Sequence, residues 1–576
     1  MKAFIAAGGF AARLACLSSA LLLAVAVFAA PCLAADGVEA QIDALFAEYS
    51  NGSTPGAAVG VYRGGQIVFA KGYGLADLEY GVAITPQTQF HVASVSKQFT
   101  AFAIALLARE GKLDLQADVR QYLPFFPDLG HKITPQQFVY HTSGVRDQMA
   151  LFQMGGKEIR DVLRQEQVVN MMSRQRGLNF APGSNYMYSN MGYCMLAEIV
   201  RSVSGQSLRQ FTTQRMFEPL GMSRTFFFDD VRELVPGRAN SYQQEKDGRW
   251  LRTLLNYNVV GTTGLFTTIE DLARWTGNFS KPRVGDAALI EQVTRGGTLT
   301  DGTPTHYGFG LIDSPVGGRT AISHSGSDAS FKTFLIYYPE NDLAIAVLAN
   351  TRMAVEAKAQ TIADLYLPPA PPAKPQSKPR EIKAPAWSKR LPGAFISPAM
   401  IALTFEQDGK QLLARRRTPG QAAPVIFLAD GRFTFDMGDW ERASYQPVFS
   451  ADGDIVALEQ KMTSGLPGAR FERAAKISNS TVTLSALAGD YRSDELDVTY
   501  SFSVENGSLV GRMLWLVEPI KFKQITADYF DSESYTGWVD AIRFERDADG
   551  VATALNMRMV AGIATNLVLR RVSKGK

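Results

Sequence analysis

Three short segments carry residue types that together suit acyl transfer. The first is Ser94-Val95-Ser96-Lys97. On a helix, residues three apart share a face, so the lysine ammonium can lie against the Ser94 hydroxyl. A serine hydroxyl is a poor nucleophile until a neighbour takes its proton. A helix N-terminus adds backbone amides that favour a developing oxyanion. The second segment is Tyr188-Ser189-Asn190. A phenol near an ammonium has its pKa lowered and can act as a base, and an Asn amide offers both a donor and an acceptor to a substrate. The third is His324-Ser325-Gly326, followed by Ser327. A strand glycine here lets a ligand backbone come close.

Each pattern recurs elsewhere, so context must choose. Ser573 to Lys576 repeats the first in the tail, Tyr49 to Asn51 the second, and His306-Tyr307-Gly308 the third. Ser94 follows a strand-like run, Gln89 to Ala93, and opens a helical pattern that runs through Leu107 and stops at Gly111. Tyr49 to Asn51 reads as the end of a first helix. His324 is preferred to His306 because its neighbours are small and polar, as a substrate-lining strand edge requires.

The elements that must position these groups are legible around them. Val38 to Tyr49 has the apolar spacing of an amphipathic helix at Ile42, Leu45 and Phe46. Ala57 to Tyr62 and Gln66 to Ala70 read as strands about the turn Arg63-Gly64-Gly65. Phe331 to Tyr338 and Leu343 to Leu348 read as an antiparallel hairpin, and Ala354 to Leu365 as a helix. Helices at both ends with strands beside them predict an α/β (α+β) sandwich with an antiparallel sheet. A Pro-rich, Lys-bearing stretch, residues 367–387, predicts a semi-rigid linker.

Beyond the linker the chain is strand-rich and repeats. Gly393-Ala394-Phe395 resembles Gly489-Asp490-Tyr491, the turns at Gly409 and Gly507 match, Asp452-Gly453 resembles Asp549-Gly550, and Phe471-Glu472-Arg473 resembles Val568-Leu569-Arg570. These landmarks keep their order and spacing, which predicts two copies of one small all-β unit, each an antiparallel barrel. The expected boundaries are 1–34 for a secretory signal, 35–366 for the first large domain, 388–476 for one barrel and 477–576 for the other.

The signal is read from Lys2 and Arg13, the apolar run Leu14 to Ala30, then Pro31 and small residues at Cys32 and Ala34. Its removal takes away two of the three cysteines and leaves Cys194. An exported chain without an internal disulfide must rely on large cores. The net charge of +3 falls, with Lys2 and Arg13 gone, to +1, too small to suggest nucleic-acid binding. No Cys-x-x-Cys or His-Glu-x-x-His occurs, so no metal site is expected. No later run is long and apolar enough to span a membrane. The expected location is periplasmic or secreted.

Taken with further segments, the three motifs resemble the serine β-lactamase and penicillin-binding-protein superfamily. Those segments are His141-Thr142-Ser143-Gly144, Gly261-Thr262-Thr263-Gly264-Leu265 with Asp271-Leu272-Ala273-Arg274, and Tyr307-Gly308-Phe309-Gly310. The resemblance is closest to the branch of D-aminopeptidases, D,D-carboxypeptidases, class C β-lactamases and related esterases. It implies that Ser94 is the acylated nucleophile, that Lys97 helps deprotonate it, and that Tyr188 is a general base. It further implies that Asn190 binds the substrate amide and that the backbone amides of Ser94 and Ser327 form the oxyanion hole. Neither a metal nor an organic cofactor is implied.

Many relatives have Lys-Thr-Gly where this chain has His324-Ser325-Gly326. An unperturbed histidine is mostly neutral at pH 7, so an anchor for a substrate carboxylate is weakened. This favours a small peptide cut at its amino end, an amide or an ester, over a β-lactam or a D-Ala-D-Ala peptide. The layout with two C-terminal barrels resembles D-aminopeptidases, in which a loop of the last barrel enters the cleft and selects a free amino end. Asp531 to Trp538 is the candidate loop here, with an ordinary hairpin tip as the alternative. Within the superfamily the rivals are an esterase, a D,D-carboxypeptidase and a β-lactamase. Outside it, the rival is a wall- or ligand-binding protein with a relic catalytic domain.

Overall fold

The computed structural model describes residues 37–158, 161–370, 380–416, 422–436, 443–463, 465–475, 483–514, 518–533, 539–559 and 562–572. The expected signal segment lies outside them, as do the Ser573 to Lys576 repeat and residues 534–538 of the candidate loop.

The first large region is built on one antiparallel sheet. Its strands are β1 (Ala57–Arg63), β2 (Gln66–Tyr73), β4 (Ile312–Asp313), β5 (Ile322–Asp328), β6 (Phe331–Tyr338) and β7 (Leu343–Ala349), in the order β4-β5-β6-β7-β1-β2. A short strand β3 (Leu265–Thr267) belongs to a separate three-stranded sheet. β7 is buried along its whole length, which is why Leu343 to Ala349 reads as an unbroken apolar run rather than an alternation. Val59, Val61, Ile345 and Val347 pack on one face, with Ile42, Phe46 and the helix Val355–Tyr366. Ala58, Tyr62, Ala346 and Leu348 pack on the other, into a core that holds most of the helices.

In that core lies α1 (Lys97–Arg109), buried from Lys97 to Leu107 and packed against α3 (Asn190–Ser204). A shorter helix, α2 (Gln148–Met154), precedes α3 in the chain. The expected strand Gln89 to Ala93 is only a two-residue strand, Phe90–His91, and Ser94 sits in a 3-10 turn, Ala93–Ser96, ahead of α1. Ala93 has φ +49°, a left-handed conformation that costs a non-glycine residue energy and clusters at functional sites.

The strand-rich remainder forms two units. Eight strands from Gly489–Ser493 to Leu567–Arg571 close into an antiparallel barrel. The earlier unit differs from the expected barrel: among the described residues it is a curled ten-stranded sheet whose strand order does not close. One edge strand carries Pro424, which has no N–H to offer a further neighbour. The other edge is Glu381–Ile382, paired with Phe427 and Leu428. Part of the expected linker is thus a strand of this sheet.

The closed barrel shares the core of the first region, whereas the ten-stranded sheet has a core of its own. Barrel and first region are joined by a buried ion pair, Arg146 Nη1 to Glu495 Oε2 at 2.6 Å. Arg146 also donates to the carbonyls of Thr565 and Asn566, and Tyr500 Oη donates to Met154 O. The described residues of the barrel that meet the segment leading to α2 include Glu495 and the run Ile563 to Asn566, whereas Asp531 and Ser532 are buried in a barrel strand.

Candidate active site

The structure brings all seven sequence-derived residues to one place, where the 3-10 turn Ala93–Ser96, the start of α3, the loop 261–264 and β5 converge. The Ser94 turn is held from two sides. Val92 N–H donates to Leu265 O, Thr333 Oγ1 donates to Val92 O at 2.8 Å, and Ser96 Oγ accepts from Leu265 N–H. Ser94 itself stays partly exposed.

Lys97 is fully buried, and its Nζ meets three oxygens: Ser94 Oγ at 3.1 Å, Asn190 Oδ1 at 2.9 Å and Thr262 O at 2.8 Å. The Asn190 and Thr262 oxygens can only accept. A neutral amine that gives them its two N–H bonds therefore aims its lone pair at the Ser94 hydroxyl. Burial disfavours the ammonium and brings the Lys97 pKa down to about 7, against the opposing pull of nearby Asp147 and Asp328. A base with that pKa is half-free near neutral pH.

The loop that supplies Thr262 O depends on glycine. Gly261 has φ +98°, and a Cβ there would lie 2.3 Å from Tyr193 O. A side chain would push the loop, and Thr262 with it, off Lys97.

Tyr188 differs from the sequence expectation. Lys97 Nζ lies over the face of its ring, 4.7 Å from the centroid. Burial dominates and pushes the phenol well above its ordinary value, and the Ser94 hydroxyl beside it lowers it by less. Tyr188 therefore rests as a protonated phenol, a donor rather than a resting base.

Asn190 also differs. Its Oδ1 accepts from Lys97 and, at 2.5 Å, from Thr262 Oγ1, while its Nδ2 donates to Asp147 Oδ2 at 3.0 Å. Its amide oxygen is committed to Lys97, so it orients that amine more than a substrate. Asp147 was not legible in the sequence. It is buried, takes Asn190 N–H at 2.7 Å on Oδ2, and caps α2 through Oδ1 from Met149 N–H at 2.9 Å. Its own N–H donates to Ile563 O of the barrel at 3.0 Å. The one cue that could have pointed to it is an Asp just before a helical run, which the sequence reading did not use.

His324 is buried. Its Nδ1 lies 2.6 Å from Ser325 O, which can only accept, so Nδ1 carries the proton and Nε2 accepts from Tyr307 Oη at 2.9 Å. Burial, and then the charge of Lys97, push its pKa down to about 3. The ring is neutral at any ordinary pH and both nitrogens are engaged. His306, the alternative, instead bonds Asp313 O, while its neighbour Tyr307, read in the sequence as part of the Tyr307-Gly308-Phe309-Gly310 segment but given no site role there, bonds His324.

Gly326 serves a different close approach from the one expected. A Cβ there would lie 2.3 Å from Thr333 Oγ1 and 2.4 Å from Val92 O, so glycine brings β5 against the protein's own Ser94 turn rather than a ligand. Ser327 follows, exposed, with its hydroxyl bonded to Lys332 Nζ at 2.7 Å.

His141 completes the cluster. It has φ +58°, its Nδ1 accepts from Ser189 N–H at 3.1 Å, and its ring lies 4.3 Å from that of Tyr188 and 4.5 Å from that of Tyr307. It thereby sets the backbone between Tyr188 and Asn190. Among the described residues no group of three or more His, Cys, Asp or Glu side chains could hold a metal ion, and no helix is long and apolar enough to cross a membrane.

Known proteins resemble this chain over most of its length. A D-aminopeptidase of Brucella melitensis is 27% identical over 482 residues, which cover 82% of this chain and 85% of that one. A D-aminopeptidase of Brucella anthropi is 26% identical over 467 residues, 79% and 82% of the two chains. Among solved structures, SurE superposes with a TM-score of 0.56 at 21% identity, covering 77% of this chain and 100% of that one. The octameric penicillin-binding protein homologue from Pyrococcus abyssi does so with 0.51 at 22%, covering 76% and 98%. The family model described as Beta-lactamase matches residues 42–366, the stretch that holds every residue of the Ser94 cluster, and by that match the chain belongs to the beta-lactamase family of serine hydrolases.

Proposed function

We propose that the protein is an exported peptidase or amidase of D-aminopeptidase type, working through an acyl-enzyme on Ser94. The observation that carries the reading is the Lys97 environment: a buried amine with its pKa near neutrality and its lone pair aimed at Ser94 Oγ. Lys97 takes the Ser94 proton as Oγ attacks the scissile carbonyl. The backbone amides of Ser94, at the head of the turn into α1, and of Ser327, on β5, are the donors assigned to the oxyanion. Tyr188, kept protonated by burial and placed beside Ser94, gives its proton to the leaving nitrogen, and the proton held on Lys97 restores it. Water then attacks the ester with the same groups in reverse.

The substrate class is supported by His324. A neutral ring with both nitrogens engaged offers no cation to a substrate carboxylate at that position. The D-aminopeptidase relatives, matched over most of both chains, support a free-amino D-residue on the acyl side. Esters fit the same neutral site and form the second reading.

The test is hydrolysis of D-Ala-p-nitroanilide, p-nitrophenyl acetate, nitrocefin and a D-Ala-D-Ala peptide by the chain lacking residues 1–34. The anilide is expected to be cleaved best, Ser94→Ala to lose the activity, and intact-mass spectrometry to place a slow acyl group on Ser94. An adduct on another serine, or a preference for nitrocefin, would overturn the proposal.

A further inference from the structure

The cleft around Ser94 has a charge pattern that the function above leaves unused. Its amine is Lys97, which is buried, gives hydrogens to Asn190 and Thr262 and faces the Ser94 hydroxyl at 3.1 Å. His324 is neutral, and Arg146 is buried and paired with Glu495. Two of the described carboxylates lie close enough to act on Lys97. Asp147 is buried, and each of its oxygens accepts hydrogen bonds from α2 or from Asn190. Asp328 is the other, and its side chain is 33% exposed.

Asp328 is the last residue of β5, one after Ser327. By strand alternation it shares a face with His324 and Gly326, the face that closes on the Ser94 turn, while Ser327 and its partner Lys332 point the other way. Its Oδ2 accepts from Thr263 Oγ1 at 3.3 Å, and Thr263 is the neighbour of Thr262, whose carbonyl holds Lys97. His91 Nε2 lies 3.8 Å from the same oxygen. That nitrogen accepts from Gly264 N–H at 3.2 Å, and burial lowers the His91 pKa, so the ring gives Asp328 no positive partner. A part-exposed carboxylate thus stands beside the candidate oxyanion donor, facing the base.

We infer that Asp328 is a specificity-determining residue that receives a primary ammonium on the acyl side of the substrate. This rests on the reading of the protein as an amino-end peptidase and names the group that enforces it. In a D-aminoacyl substrate the ammonium lies one carbon from the attacked carbonyl. With that carbonyl oxygen on the Ser94 and Ser327 amides, the ammonium falls toward the residue that follows Ser327. A charge-assisted bond to the carboxylate then holds it. An N-acylated substrate has no cation to offer and leaves Asp328 desolvated without compensation, so the same residue excludes it.

The test compares D-Ala-p-nitroanilide with N-acetyl-D-Ala-p-nitroanilide on the full mature chain and on Asp328→Asn, which keeps the shape and the Thr263 contact, and Asp328→Glu. In the wild type the free amine is expected to be preferred. In Asp328→Asn the ratio of the two kcat/KM values should fall by about 10- to 100-fold, largely through KM of the free amine, and Asp328→Glu should restore part of it. Asp328→Ser gives the same reading should the Asn variant not fold. Equal losses on both substrates, or a ratio that stays at its wild-type value, would remove Asp328 from this role and leave the enzyme reading standing. A wild type that prefers the acetylated substrate overturns both.

Discussion

Replacing Gly326 by alanine tests the geometry that joins β5 to the nucleophile turn. The new Cβ would lie 2.3 Å from Thr333 Oγ1, 2.4 Å from Val92 O and 3.1 Å from Ala93 Cβ. Ordinary contact begins near 3.4 Å, so β5 and the turn must part by about 1 Å. Rotating Thr333 relieves only the first clash, at the loss of its 2.8 Å bond to Val92 O. The second is with backbone and has no rotamer escape. Two effects follow. Overpacking of this kind costs about 1–3 kcal/mol of stability. A displacement of about 1 Å between Ser94 and the Ser327 amide costs on the order of 100-fold in rate, since acyl transfer depends on the attacking oxygen and the oxyanion donors being set together. The assay pairs kcat/KM on the best chromogenic substrate with a thermal melt. A Gly326→Ala enzyme that melts cooperatively a few degrees lower and has lost about two orders of magnitude in kcat/KM is the expected result. Activity within threefold of wild type, with an unshifted melt, would refute the argument that this glycine sets the spacing.

Three further outcomes are expected. With neutral Lys97 as the proposed base and its pKa at about 7, kcat/KM should fall about tenfold per unit as pH drops below that value; a flat profile between pH 5 and 7 would place the base elsewhere. Glu495→Gln leaves Arg146 as an uncompensated buried charge and should cost about 3–5 kcal/mol in chemical denaturation, whereas Arg146→Met with Glu495→Leu should regain most of it; equal losses in both would mean the ion pair is not the link between barrel and first region. His324→Lys restores a cation where burial now holds a neutral ring, and labelling by a fluorescent penicillin should accelerate by about tenfold; unchanged labelling would separate substrate choice from this position.

The local parts of this protein were legible in its sequence. The Ser94–Lys97 pair, the hairpin of Phe331 to Leu348 and the strands around Arg63-Gly64-Gly65 depend on spacings of a few residues, and such spacings act through the backbone alone. So did the exchange of a lysine for His324, which already argued for a site without a carboxylate anchor.

What the tertiary structure decided lies where distant segments meet. Tyr188 was expected to be an activated base, yet desolvation against Tyr307 and His141 keeps its proton on, and no local pattern reports desolvation. Asn190 was expected to hold substrate, but Asp147, 43 positions earlier, claims its nitrogen and so turns its oxygen to Lys97. Gly326 marked a close approach that only the folded chain could assign to Val92, because β5 and the nucleophile turn are more than 200 residues apart. The sequence determined which chemical groups are present and how they sit within one turn of helix or strand. Which of them holds a proton, and which is free to meet a substrate, depends on desolvation and on hydrogen bonds between elements, and these exist only once the core has closed.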